Sequence, residues 1–149
     1  MRSFTGRFCF IIGGEEDPME NSPGSVSAWT EENVLSYGSP QTIARYQNLK
    51  NYILDLDSHM RIGFKKLYAH FDYQGKRIAC VELQINAVIV WLNVNPNLLH
   101  DPYHMVRDVT NVGHHGVGNS QLKIDNASQE DKAKQLIAQA FGILCGVTI

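Results

Sequence analysis

The sequence has no long apolar run, few cysteines and no excess of basic charge, and each absence excludes a class of protein. Its longest unbroken apolar run is residues 87–92, far short of the roughly 20 residues that span a bilayer. The apolar block at 8–12 is too short for the hydrophobic region of a signal peptide, and no small-residue cleavage site follows it. The sequence therefore predicts no membrane association and a cytoplasmic location.

The three cysteines are Cys9, Cys80 and Cys145, and they form no CxxC pair. This excludes a zinc ribbon and a thioredoxin-type motif. Cys80 lies in a strand-like run and Cys145 at the end of an apolar helical pattern, so both are predicted to be buried, unreactive thiols. A GxSxG motif is absent, and periodicity places no histidine beside either thiol, so nothing favours nucleophilic catalysis.

The charge balance excludes strong phosphate binding by bulk charge. The 149 residues carry 13 Lys and Arg against 15 Asp and Glu, a net charge of -2. Any contact with nucleic acid therefore needs a local basic patch. With 44% apolar residues, the chain suits one globular domain with a single core.

A change in composition separates an N-terminal segment from the rest of the chain. Residues 13–28 are rich in Gly, Pro, Ser and acid and have no apolar period, which is typical of a linker. We therefore expect residues 1–28 to be a disordered or remnant N-terminal arm, and residues 29–149 to form the single folded domain.

Helical periodicity marks two segments of that domain. Ser39 can cap a helix whose first residue is Pro40, and the apolar steps of three or four predict its end near 57–58. A second helix is predicted to start from a capping box at Ser128 and to stop at Gly146. A helical turn is expected near residues 103–108.

Alternating apolar residues predict strands between the two helices. The predicted strands are 66–73, 77–83, 87–94 and 121–125. The run 87–94 is apolar on both faces, so it is expected to be central and covered, or else to face a partner. The order α-β-β-β-loop-β-α predicts an α+β domain, with an antiparallel sheet of about four strands and helices packed on one face.

The loop at 95–119 is the densest polar region and holds four of the six histidines. One hypothesis is a small metal-dependent enzyme, since imidazole and carboxylate suit zinc or iron. Its candidate residues are His100, His104, Asp108, His114 and His115. No HExxH or fixed-spacing zinc signature supports it, so no metal and no cofactor are expected.

The favoured interpretation of this loop is a rigid structural or binding segment. Asp101 is expected to bond backbone amides before Pro102, and Arg107 to pair with an acid. Gly113, Gly116 and Gly118 are expected to supply positive-φ turns. A phosphate-binding loop is excluded, because a strand follows and no GK[ST] element is present.

Two weaker patterns lie in the predicted hairpin. Asp72, Glu82 and Gln84 loosely imitate the carboxylates of metal-dependent nucleases, but the lysine of that arrangement is absent, so we interpret them as a solvated face. A basic edge at neighbouring strand ends, with Tyr68 and Tyr73 nearby, is a candidate for contact with single-stranded nucleic acid. Its residues are Lys65, Lys66, Lys76 and Arg77.

Several motifs resemble one family. They are Trp29-Thr30-Glu31-Glu32-Asn33-Val34-Leu35, Tyr52-Ile53-Leu54-Asp55-Leu56, Lys65-Lys66, Asp101-Pro102 and the block Arg107-Asp108-Val109-Thr110-Asn111-Val112-Gly113-His114 followed by Gly116-x-Gly118. Together they resemble the uncharacterised "predicted transport protein" domain, which occurs alone or C-terminal to PD-(D/E)XK-like restriction-type nuclease domains. The family has no established activity.

The resemblance implies a set of binding candidates, which we call the signature loop. Its members are Asp101, Pro102, Arg107, Asp108, Gly113, His114, Gly116 and Gly118. His115, Val117 and Asn119 stand where the family usually has Trp, Asn and Asp. These departures suit a structural or binding role better than a catalytic one.

The sequence thus favours a non-enzymatic binding or accessory domain, associated with DNA-processing or restriction-type systems. Its expected partner is nucleic acid or a nuclease-type protein. The alternatives are the metal-dependent enzyme, and a homodimeric interaction domain that pairs through an exposed apolar strand face.

Overall fold

The computed structural model describes residues 28–113 and 116–146. Almost all of the arm predicted at 1–28 lies outside this part, as do Cys9, His114 and His115. The described helices are α1 (Glu31–Leu35), α2 (Pro40–Asp55) and α3 (Ala127–Cys145), with a 3₁₀ turn at Pro96–Leu98. The described strands are β1 (Met60–Phe64), β2 (Ala69–Tyr73), β3 (Lys76–Leu83), β4 (Val88–Leu92), β5 (Arg107–Asp108) and β6 (Ser120–Ile124).

The strands form one antiparallel sheet in the order β1-β2-β3-β4-β6-β5. The α+β class predicted from the sequence is confirmed, whereas the strand number of about four was too low. The two additional strands, β1 and β5, are the edges of the sheet. They are short and partly exposed, so they lack the alternation that marks a half-buried strand.

The helix termini follow local hydrogen bonds. As predicted, Ser39 caps α2, with its Oγ accepting from the backbone N–H of Thr42. The capping box predicted at Ser128 is wrong, because Asn126 caps α3 by accepting from the N–H of Gln129 at 2.9 Å. Gly146 ends α3 at φ 66°, as its freedom in the left-handed region allows.

All three helices bury their apolar residues against one face of the sheet, as predicted. Val34 of α1, Tyr46 of α2 and Phe141 of α3 belong to the same core as the inward side chains of the strands. Those inward side chains include Phe71, Ala79, Val81, Leu83, Val88, Val90, Leu92, Leu122 and Ile124. Among the described residues, no helix is long and apolar enough to cross a membrane.

A second, smaller apolar cluster lies on the other face, over the centre of the sheet. β4 pairs with β3 and β6, so it is central, and its outward side chains Ile89 and Trp91 are only 5% and 4% exposed. Val109 and Val117 from the loop pack against them. The prediction of a central, covered strand is confirmed. Between residues 28 and 113 and between 116 and 146, β4 therefore presents no exposed apolar face, and the homodimer stays a prediction.

The loop at 95–119 differs from the expectation. The helical turn predicted near 103–108 is wrong: its last two residues form β5, which pairs with β6. The Asp101 carboxylate accepts from the N–H groups of Met105 and Val106, at 2.9 and 2.8 Å. Because this side chain takes the place of backbone acceptors, it holds the segment outside a helix.

Candidate functional site

The face of the sheet away from the helices carries polar side chains from every strand except the central β4, and we call it the helix-free face. Strand register places on it the side chains at the positions Arg61, Gly63, His70, Asp72, Arg77, Cys80, Glu82, Ile89, Trp91, Arg107, Gln121 and Lys123. Four of these are Arg or Lys and two are acidic, although the whole chain has a net charge of -2. The face is therefore basic on a weakly acidic protein.

A chain of hydrogen bonds crosses the β2–β3 end of this face. The Nε of Arg77 donates to Oδ1 of Asp72 at 3.0 Å, and Oδ2 of Asp72 lies 3.0 Å from Nδ1 of His70. A carboxylate that receives a guanidinium N–H is ionised and accepts only, so Nδ1 of His70 carries a proton and donates it. Nε2 of His70 is then a lone-pair acceptor.

A register shift in the β2–β3 pair aims Arg77 at Asp72. Phe71 lies opposite Ala79, but Asp72 lies opposite Arg77, so β3 holds Ile78 as an extra residue. The backbone oxygens of Arg77 and Ile78 accept hydrogen bonds from Asn93, which fastens the bulge. If β3 instead alternated regularly through Ile78, Arg77 would lie on the helix side, away from Asp72.

Gly63 makes room for the His70 imidazole. Gly63 and His70 are direct partners in the β1–β2 pair, and a Cβ at position 63 would lie 2.7 Å from Nε2 of the ring. The ring therefore lies across the glycine backbone and is fixed there by Asp72. His70 is 8% exposed. Its imidazole is thus buried, packed on Gly63 of β1 and bonded to Asp72 of its own strand.

The surroundings keep this histidine neutral and its partner charged. Burial lowers the pKa of His70, and the positive charges of Arg77 and Lys65 lower it further against the opposing effect of Asp72. Burial alone would raise the pKa of Asp72. The hydrogen bonds that Asp72 accepts from His70 and Arg77, together with the charge of Arg77, outweigh it, so the pKa of Asp72 is lowered.

Cys80 is the cross-strand partner of His70. Periodicity along one strand could not place a histidine beside this thiol, but strand pairing does. Cys80 is fully buried, as predicted, and Gly116 packs on it so closely that a Cβ there would be 2.9 Å from Sγ. Cys145 is half-buried rather than buried, and this partial burial raises the pKa of its thiol.

The acidic residues of the signature loop order its backbone. Asp101 bonds backbone amides, as predicted, although those amides follow Pro102 by three and four residues. Asp108 accepts from the N–H and the hydroxyl of Thr110, at 2.9 and 2.6 Å. These bonds lower the pKa of the exposed Asp108 carboxyl, the hydroxyl contributing most.

The other predictions for the loop differ in outcome. Arg107 is exposed and makes no ion pair within the described chain, so the acid partner expected for it is not found there. Gly116 and Gly118 have φ of 74° and 141°, as expected, but Gly113 is not in the positive-φ region. Gly118 lies against the Leu92 backbone. The predicted role of His114 concerns a residue outside the described part.

The basic edge predicted from the sequence is wrong as a single patch. Lys65 and Lys66 follow β1, whereas Lys76 and Arg77 follow the next turn. Successive hairpin turns lie at opposite ends of the shared strand, about 13 Å apart for five residues. Lys76 also faces the helix side, where its Nζ donates to the backbone oxygen of Leu144 at 2.8 Å.

The described residues do not assemble a metal site. No group of three His, Cys, Asp or Glu side chains suited to a metal is found between 28 and 113 or between 116 and 146. The backbone of His100 is bound by the side chain of Gln139, and His104 has a positive φ of 54°. Asp72, the first of the nuclease-like carboxylates, has both oxygens bonded to Arg77 and His70.

Comparison with known proteins gives one relative and no family. A 96-residue segment is 32% identical to a Haemophilus influenzae protein described as "Uncharacterized protein". The match covers 64% of this chain and 32% of the relative, so it corresponds to about a third of the relative's length. No family model matches the chain, and no solved structure matches it.

Proposed function

We propose that this protein is a non-enzymatic binding domain whose helix-free face contacts nucleic acid, as an accessory to DNA-processing enzymes. The observation that carries the proposal is the separation of charge between the two sides of the sheet. The cations of the helix-free face outnumber its acids. On or beside the helices of the described chain the acids outnumber the cations: Glu31, Glu32, Asp55, Asp57, Asp125, Glu130 and Asp131 against Arg45, Lys50, Lys76, Lys132 and Lys134.

The exposed cations of this face are spread across the sheet rather than clustered. Arg61 is on the edge strand β1, Lys123 on β6, and Arg107 on the opposite edge strand β5. With strands about 4.8 Å apart, the two edges of a six-stranded sheet are about 24 Å from each other. A small anion cannot contact both edges, whereas several consecutive phosphates of a nucleic acid can.

Two further observations support an accessory role. The related segment in the Haemophilus influenzae protein is part of a longer chain, as expected of a module that works beside other domains. The motifs of the signature loop resemble a domain that accompanies restriction-type nucleases, which favours nucleic acid over other polyanions. Arg107 belongs both to that loop and to the helix-free face.

The test measures how salt and charge reversal change the affinity for DNA. Fluorescence anisotropy with labelled single-stranded and double-stranded oligonucleotides, titrated from low to physiological salt, gives the slope of log K against log salt. We expect a slope of about -0.7 to -0.9 for each phosphate that the face neutralises. The double variant Arg107→Glu/Lys123→Glu should lower the affinity at least about tenfold and flatten the slope.

The control is Lys132→Glu, which reverses one cation on α3, on the helix side, and so makes half the charge change of the double variant. It should leave the slope unchanged. If neither the DNA strands nor RNA of the same sequence bind at micromolar protein, or if Lys132→Glu weakens binding as much as reversal of two cations on the face, the proposal is wrong. Circular dichroism of each variant shows whether it folds like the parent.

A further inference from the structure

The chain of hydrogen bonds from Arg77 through Asp72 to His70 ends at the second ring nitrogen of the histidine. Nε2 of His70 makes no hydrogen bond to any residue that the structure describes. The residue is more than nine-tenths buried, and its ring is held between Gly63 below and Asp72 beside it. A buried acceptor without a hydrogen bond costs free energy. Because this acceptor is held in a fixed orientation, we interpret it as the partner of a donor on a ligand.

The chemistry of the site limits what that donor can be. Asp72 keeps the proton on Nδ1, so Nε2 accepts and cannot donate. The exposed Arg61 is the cross-strand partner of Asp72, so a cation lies on the same face beside this site. A bare phosphate oxygen would meet a lone pair at Nε2, which is unfavourable. The group that fits is a hydroxyl attached close to a phosphate, because cations and acceptor then bind neighbouring parts of one ligand.

We propose that Nε2 of His70 accepts a hydrogen bond from a ribose 2′-hydroxyl, so that the helix-free face binds RNA in preference to DNA. This inference rests on the proposed function, since the cations of the face supply the phosphate contacts. The 2′-hydroxyl is the one hydrogen-bond donor of an unmodified nucleic-acid backbone, and it is the group by which proteins distinguish RNA from DNA. It adjoins the phosphates that the exposed cations of this face attract.

Arg77 has a separate part in this arrangement as a positioning residue. Its guanidinium only donates, so it fixes which oxygen of Asp72 remains for His70. Replacing Asp72 by Asn would reverse the site. The amide oxygen would turn to Arg77 and the amide NH₂ to Nδ1, which moves the ring proton to Nε2 and converts the acceptor into a donor.

The first experiment needs no variant. Anisotropy titrations compare one unpaired 20-nucleotide sequence in three forms: RNA, 2′-fluoro RNA and DNA. The 2′-fluoro strand keeps the RNA sugar pucker but lacks the donor. We expect RNA to bind about three- to tenfold more tightly than the 2′-fluoro strand, the effect of one hydrogen bond. Equal binding of RNA and 2′-fluoro RNA overturns the inference while leaving the proposed function intact.

The second experiment uses Asp72→Asn. The ratio of RNA to 2′-fluoro RNA affinity should fall to about one, and ¹⁵N chemical shifts of the His70 ring should report the proton on Nε2 instead of Nδ1. A variant with the shifted proton and an unchanged ratio contradicts the inference. If no strand binds the parent protein at all, the proposed function itself has failed, which is a distinguishable result.

Discussion

The imidazole of His70 lies across the backbone of Gly63, in space that no other residue at position 63 would leave open. Gly63→Ala should therefore destabilise the protein by about 1–3 kcal/mol, because the buried ring is tied to Asp72 and cannot move aside freely. Urea denaturation of both proteins measures the difference.

A double-mutant cycle separates this clash from a general effect of changing an edge strand. In a His70→Ala background the added methyl group has room, so Gly63→Ala should cost at least about 1 kcal/mol less than in the parent. Additive costs would mean that the glycine is needed for another reason. Since the two residues are direct strand partners, coupling is the expected result.

The stability should depend on pH through His70. Its pKa is lower in the folded protein than in the unfolded chain, so below about pH 6.5 the unfolded chain binds more protons. The free energy of unfolding should therefore fall as the pH drops from about 6.5 toward the folded pKa, by at most about 1.4 kcal/mol per pH unit. His70→Gln should be less stable at neutral pH but lack this part of the slope. Identical slopes would contradict the assignment.

The signature loop should depend on Asp101 for its order and not on Arg107. The Asp101 carboxylate satisfies two backbone N–H groups, so Asp101→Ala should cost about 1–3 kcal/mol in urea denaturation. Arg107 is exposed and has no ion pair in the described chain, so Arg107→Ala should stay within about 0.5 kcal/mol of the parent. A larger cost for Arg107→Ala than for Asp101→Ala would support the prediction that Arg107 holds the loop by pairing with an acid.

The short helix α1 should depend on the buried hydroxyl of Tyr46. That hydroxyl donates to Oε2 of Glu31 at 2.7 Å, and Nζ of Lys50 lies 2.8 Å from the same oxygen. Burial raises the pKa of Tyr46 far above its ordinary range, with Glu31 adding to the effect. Tyr46→Phe should cost about 1–2 kcal/mol. Tyr37→Phe, at an exposed position, is the control and should change stability by less than about 0.5 kcal/mol.

The sequence predicted the parts of the fold that depend on local signals. The start of α2 at Ser39-Pro40, the end of α3 at Gly146 and the central position of β4 were all predicted. Each follows from a cap, a left-handed glycine or a continuous apolar run. The α+β class follows from the order of those elements. The short edge strands had no such signal. The predicted helical turn did not form, because the Asp101 carboxylate accepts the hydrogen bonds of the backbone N–H groups at 105 and 106.

The candidate site was less predictable, because strand pairing creates it. His70 and Asp72 were placed on one face by alternation, but Arg77 and Gly63 join them only through register with the neighbouring strands. The extra residue in β3, Ile78, could not be inferred from the sequence, because the apolar pattern of the strand continues through that position without a break. The basic edge failed for a related reason, since residues close in sequence to two turns were assigned to one end of the sheet.

The bulge at Ile78 has a consequence for how this sequence can change. Phe71 lies opposite Ala79 and Asp72 opposite Arg77, so a chain that lacked Ile78 would pair these strands regularly and keep Arg77 beside Asp72. A slip of residues 76 and 77 by one position, by contrast, would carry Arg77 to the side that the helices cover, and the imidazole would lose its fixed orientation. In related chains the orientation of this histidine should therefore survive a one-residue gap at position 78, but not a change of register in the first two residues of β3.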